Sequence, residues 1–272
     1  MSRRLFCELS PLTFRISAAK ERVRRHVQDL TSAQRFAREQ SGEDLPVLIH
    51  GHSSLIRRRL GGVNMTLQEN KAVNLSLAAP LLDGILIRPG ETFSFWQLVG
   101  RPSARRGFRE GLTLTRGRTG SGVGGGMCQL SNLIHWMVLH TPLTIVEHHH
   151  HDGVDLFPDH ERRVPFGTGS SICDNYLDYR FRNDTDRTYQ LRVRVEDEYL
   201  LGELRADRPQ PLRYTIRCEG ERFVPENGQY YRVGQVWREG TDPDTGALRE
   251  RTLLRENHAR VLYELPEDKL RG

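Results

Sequence analysis

The sequence predicts an α+β fold, with a helix-borne cysteine packed on a mostly antiparallel sheet and a β-rich C-terminal portion. Three observations carry this. Apolar residues at helical spacing fall in the first half of the chain, within residues 16–40, within 66–82 and again from Cys128. Alternating patterns dominate from Asn175 to the end. Between them lie short apolar runs bounded by Pro, Gly and Asp, which read as brief strands and turns.

Taken in order, residues 16–40 form a helix with Ile16, Val23, Val27, Leu30 and Phe36 as the apolar stripe amid charge. Ser41-Gly-Glu-Asp breaks it, and Pro46-Val-Leu-Ile-His-Gly is a short strand. A second helix runs from Thr66 to Leu82. Its Asn70, Lys71 and Asn74 either line a site or form the solvent face. Asp83-Gly84 turns into Ile85-Leu-Ile-Arg, and Pro89-Gly90 into Thr92-Phe-Ser-Phe-Trp, giving two short strands. Trp96, flanked by Phe93 and Phe95, reads as core or pocket wall. Further on, Tyr176–Arg182 and Tyr189–Val195 alternate around an Asn183-Asp-Thr-Asp turn. Arg213–Cys218, Tyr230–Trp237 and Val261–Leu265 continue the strands. Arg208-Pro-Gln-Pro211 is the best boundary, dividing the chain into an N-terminal extension (1–61), a central domain (62–207) and a C-terminal β module (208–272).

Gly122-Val-Gly-Gly-Gly-Met-Cys128-Gln-Leu-Ser-Asn132 is the most informative stretch. Leu130, Leu133, Ile134, Met137 and Val138 continue it at helical spacing. Three glycines in a row disfavour helix by roughly 1 kcal/mol each. They suit backbone that turns sharply and approaches something closely. A cysteine in the first turn of a helix meets unpaired N–H groups and the positive end of the macrodipole, which favour thiolate. N–H groups around Gly124, Gly125, Gly126 and Gln129, with Ser131 nearby, can receive an oxyanion. The plainer reading is a small buried hydrophobe.

About twenty residues later, Leu143–Val146 reads as a buried strand behind Pro142, with His148-His-His-His151 at its C-terminal end. A histidine delivered there serves as base to a cysteine nucleophile, given a third group to orient it. Strand alternation puts His149 and His151 on one face. Those two with Cys128 or an aspartate make three zinc ligands. No Cys-x-x-Cys or His-Glu-x-x-His spacing supports this, and no metal or other cofactor is assigned.

Composition narrows the function classes. The chain has 272 residues and a formal charge of +5, spread through arginines such as Arg57-Arg-Arg59, Arg105-Arg106 and Arg162-Arg163. It lacks the basic stripe with interleaved aromatics of a nucleic-acid binder, so no nucleic-acid partner is expected. Weak peripheral attraction to anionic membrane is compatible with this charge. Cys7, Cys128, Cys173 and Cys218 are scattered, which fits a reducing compartment. Cys173 is expected in the core, and a redox pairing with Cys128 is conceivable. No run approaches the roughly 20 apolar residues of a membrane span. Glu8 and Pro11 interrupt any signal-like apolar core. A cytoplasmic location is expected.

Asn70-Lys-Ala-Val-Asn74-Leu, Ile87-Arg-Pro-Gly-Glu-Thr-Phe-Ser-Phe-Trp96, Gly107-Phe-Arg-Glu-Gly111, Gly124-Gly-Gly-Met-Cys-Gln-Leu-Ser131 and Leu177-Asp-Tyr-Arg-Phe-Arg-Asn183 occur in an order that resembles the VanW family. The resemblance covers about residues 62–195. The family is named for an accessory protein of glycopeptide-resistance clusters. Some secreted members are regarded as L,D-transpeptidases of peptidoglycan, using the cysteine of Gly-Gly-Gly-x-Cys. The resemblance implies Cys128 as nucleophile and His149 or His151 as base. The family's later Gly-x-Asp-Ala-type segment meets Gly167-Thr-Gly169-Ser170 here, so the third member falls to Asp155 or Asp178. The function expected first is a cysteine acyl-transfer enzyme on peptidoglycan stem peptides or precursors; the alternative is a non-catalytic accessory protein binding such precursors or a resistance enzyme.

Overall fold

Ser10 starts the first helix, its hydroxyl accepting from the Thr13 N–H while Thr13 bonds back to the Ser10 backbone. In the computed structural model, which describes residues 6–57, 65–115, 118–150, 153–156, 158, 164–174 and 177–265, this helix α1 spans Pro11–Thr31. It ends earlier than its apolar spacing predicts. Phe36 belongs instead to a short strand, β1 (Arg35–Phe36). Strand β2 (Val47–Leu55) follows, then α2 (Met65–Ala78), extended by a 3₁₀ turn at Ala79–Leu81. Strands β3 (Ile85–Ile87) and β4 (Glu91–Ser94) form as expected. Trp96 lies not in a strand but in a short helix, α3 (Phe95–Val99), because Ser94 turns the chain by capping the Gln97 N–H.

The hairpin β5 (Glu110–Thr115) and β6 (Arg118–Val123) leads into α4 (Met127–Val138) and then β7 (Thr144–Glu147). The strand ends at Glu147, so alternation does not extend through the histidines. After β8 (Val154–Asp155) and β9 (Arg180–Arg182) come β10 (Tyr189–Glu196) and β11 (Tyr199–Ala206). The long strands β12 (Arg213–Glu226), β13 (Gln229–Thr241) and β14 (Leu248–Val261) follow. Val261 therefore closes β14 rather than opening a strand. Asn227-Gly228, both at positive φ, makes the two-residue turn between β12 and β13.

Among the described residues three four-stranded sheets result, ordered β1-β4-β9-β7, β2-β11-β10-β3 and β12-β13-β14-β8. All pairings are antiparallel except β1 with β4 and β14 with β8. The fold is α+β with a β-rich C-terminal half. Segment 35–55 contributes strands to the two central sheets, and β8 joins the C-terminal one. Helix α4 lies against β11 at Gly202, where an added Cβ would come within 2.7 Å of Met137 and 2.8 Å of Leu133. Phe93 and Phe181 stack at 4.7 Å in the core beside fully buried Tyr179 and Phe95.

Candidate functional site

Each glycine before Cys128 is required by a different neighbour. A Cβ on Gly124 would sit 2.4 Å from Pro102, one on Gly125 2.2 Å from the Gly111 backbone, and one on Gly126 2.2 Å from the Lys71 side chain. Gly124 and Gly126 also have φ of +81° and +99°. The close approach read from the sequence is thus to the chain itself. Asn74, fully buried, locks the loop by donating to the Arg109 and Gly125 carbonyls and accepting from the Arg109 N–H. Asn70 donates to the Glu110 carbonyl. Both are clamps on the glycine loop and hairpin.

Gly126 precedes α4, which puts Cys128 at the second helical residue. The Gly124, Gly125 and Gln129 N–H groups are spent on the Arg109, Gly122 and Gly126 carbonyls. Among the described residues, the Gly126, Met127 and Cys128 N–H groups have no backbone acceptor. The donor set is therefore narrower than the glycine run suggests. The Gln129 side chain binds Ser54 and the Leu55 carbonyl, anchoring α4 to β2, and Ser131 caps back onto the Cys128 carbonyl.

A segment at residues 168–173 crosses the exposed side of α4. The Cys128 thiol donates to the Ile172 carbonyl at 3.7 Å, and Asn132 accepts from the Ser170 N–H at 2.5 Å. Burial pushes the Cys128 thiol up from its ordinary value, outweighing the hydrogen bonds that pull it down. The expected thiolate is not what this resting geometry holds. Cys173 is exposed rather than core. Partial burial of its sulfur pushes the thiol up, then Asp174 and Cys128 do.

The histidines divide. His149 bonds Glu147 at 3.0 Å, and its carbonyl accepts from Ser171. His148 reaches the Gly169 carbonyl and stacks on His135 at 4.0 Å, with His150 edge-on to it at 4.0 Å. His151 lies outside the described residues. Buried His135 bonds the Tyr179 hydroxyl at 3.0 Å. Burial, then His148 and His150, hold it well below the usual histidine range, hence neutral. His135 and Asn132 were not singled out in the sequence. Their signal is helical spacing, since Cys128, Asn132 and His135 at i, i+4 and i+7 share one face.

The two aspartates suggested as a third member have partners of their own among the described residues. Asp155 is in the C-terminal sheet, bonded to Arg232 at 3.3 Å and Tyr263 at 2.9 Å. Asp178 accepts from Ser94, the Trp96 and Tyr179 N–H groups and Arg180. Burial pushes its carboxyl up against the pull of Arg180. Trp96 donates to the Leu177 carbonyl and walls a cavity of about 260 Å³ beneath α1, with Asp178, Arg180 and Phe36. Among the described residues no three His, Cys, Asp or Glu side chains converge as a metal site.

A family model described as "VanW like protein" matches residues 70–205. The chain is 38% identical over 232 residues to "Vancomycin B-type resistance protein VanW" of Enterococcus faecalis, covering 85% of this chain and 84% of that protein. It is 30% identical over 129 residues to "Uncharacterized protein YoaR" of Bacillus subtilis, covering 46% of this chain and 40% of that one. No solved structure matches the chain.

Proposed function

The chain belongs to the VanW family, and from that premise we propose that it is a non-catalytic accessory protein of glycopeptide resistance, binding cell-wall stem peptides or their precursors around Cys128. The name of the Enterococcus faecalis relative supports the link to resistance. The observation that carries the non-catalytic reading is the thiol itself. Its sulfur donates to a backbone carbonyl, and burial keeps it protonated. A nucleophilic cysteine needs a base or a depressed pKa. A thiol-reactive probe near neutral pH tests this: Cys128 should label no faster than Cys7 or Cys218. Much faster labelling would sink it. Calorimetric titration with a stem peptide ending in a D-amino acid should give heat that survives Cys128→Ser.

One observation favours a second reading, cysteine acyl transfer. The N–H groups of Gly126 to Cys128, without a backbone acceptor among the described residues, lie at the start of α4, suited to a developing oxyanion. With the 168–173 segment displaced, Cys128 would attack the carbonyl before the terminal D-amino acid. His149 or His151 would take the thiol proton and return it to the leaving amine. The thioester would pass to an amine or to water. Turnover lost in Cys128→Ser supports this reading, and full turnover retained by that variant eliminates it. No helix among the described residues is long and apolar enough to cross a membrane. We place the chain on the cytoplasmic side, where precursors are soluble or lipid-linked. Cell fractionation that finds it outside the membrane overturns that placement.

A further inference from the structure

Helix α1 turns its charged side to the rest of the chain. Arg22 pairs with Asp174 at 2.9 Å, and Arg25 forks onto Glu147 at 2.6 Å. Asp29 receives two guanidinium nitrogens of Arg180 at 2.6 and 2.8 Å. These three follow one another at spacings of three and four, on one side of the helix. Leu12, Ile16, Val23, Val27 and Leu30 recur along the other side, Leu30 also edging the cavity beneath the helix. All are exposed, Val23 by 64% and Leu30 by 72%. An ordinary surface helix buries its apolar stripe and exposes its charges. Here a stripe roughly 27 Å long, at 1.5 Å per residue, stands uncovered.

We propose that α1 is an interfacial helix whose apolar stripe lies in the headgroup region of an anionic lipid bilayer. The charges around the stripe select this occupant. Arg15 and Lys20 flank it on either side, exposed and without an ion pair among the described residues. Both acids of the helix lie on the far side, Glu21 bonded to Arg24 and Asp29 to Arg180. The rim therefore presents cations only, as a helix seated on anionic headgroups does. Parallel pairing with a second copy through the same stripe would set Arg15 of one against Lys20 of the other. At 21 residues the helix has the length to span a bilayer, but its charges deny it the apolar character, so it lies in the plane of the surface. Because Arg22 and Arg25 grip Asp174 and Glu147, the surface-bound helix also holds the Cys128 region beside the membrane.

Co-sedimentation of the full chain with vesicles tests the proposal. Binding is expected to phosphatidylglycerol–phosphatidylcholine vesicles and not to phosphatidylcholine alone, weakening as salt rises. V23E/V27E should cut it at least tenfold. Arg15→Gln and Lys20→Gln should each cut it about fivefold, while keeping the apolar stripe should the double glutamate variant lose its helix. Equal binding to both vesicle types overturns the anionic part. No binding by the folded wild-type chain overturns the whole. So does a dimer in light scattering that V23E/V27E abolishes with no vesicle binding, which would make the stripe a self-interface.

Discussion

At the scale of single residues, Gly125 and His135 give the sharpest expectations. A methyl group on Gly125 meets backbone, which cannot swing aside as a side chain can. Gly125→Ala should destabilise by at least the ~1–3 kcal/mol typical of overpacking, read as a lowered unfolding midpoint in urea. His135 is neutral when folded and titrates near 6.5 when unfolded. The unfolded chain therefore binds more protons below that pH. The stability His135 contributes is intact above 6.5 and is lost as pH falls, by up to ~1.4 kcal/mol per unit. His50, pushed down to about 4 by burial and then by His140 and His52, acts in the same window and direction. Urea midpoints at pH 7, 6 and 5 should fall, and His135→Gln should flatten the trend. The sequence made the glycines' purpose legible because three in a row before a helix have little other use. The burial that pushes the Cys128 thiol up was not legible, because part of the cover is the Ile172 segment, forty-four residues away.

At the scale of elements, periodicity revealed α1 but not its orientation. Spacing says that one side is apolar, and only the partners of Arg22, Arg25 and Asp29 say which side docks. The short helix at Trp96 did have a local signal, Ser94 three residues before Gln97, which the alternation of Phe93 and Phe95 overrode. Burial raises the Asp29 carboxyl, but its bonds to Arg180 and Gln97 outweigh that and hold it below the usual range. The latch is thus present above about pH 4, the ordinary aspartate value, and is lost as pH falls through the lowered one. Asp29→Asn should cost ~1–3 kcal/mol, the range for a charged hydrogen bond removed from a half-buried site. Limited proteolysis should then cut within α1 sooner than in the parent chain, while the midpoint of the remainder changes little.

At the scale of the molecule, the C-terminal sheet is tied back by β8, whose Asp155 is buried with Arg232. The alternating strands of this module were plain in the sequence. Their tie was not, since a two-residue strand carries no period. Removing the carboxylate takes an acid partner from a buried guanidinium that also pairs with Glu221. Asp155→Ala should cost ~3–5 kcal/mol, about 10 °C in midpoint for a chain of this size. The rate at which Cys128 reacts with a thiol probe should not change. A change in that rate would give Asp155 a part in the cysteine's chemistry.

The strip of backbone from Thr168 to Cys173 behaves as a shutter. It is fastened to α4 by the Ser170 N–H on Asn132 and to the histidine stretch by the Ser171 N–H on the His149 carbonyl, at 2.5 and 2.7 Å. Cys128 is half-buried, so a ligand needing more room at the sulfur than the strip leaves should part these two amides from their acceptors. Their deuterium uptake is therefore a clock for access to the cysteine, and a peptide that binds beneath the strip should speed it, whereas one that binds above should slow it.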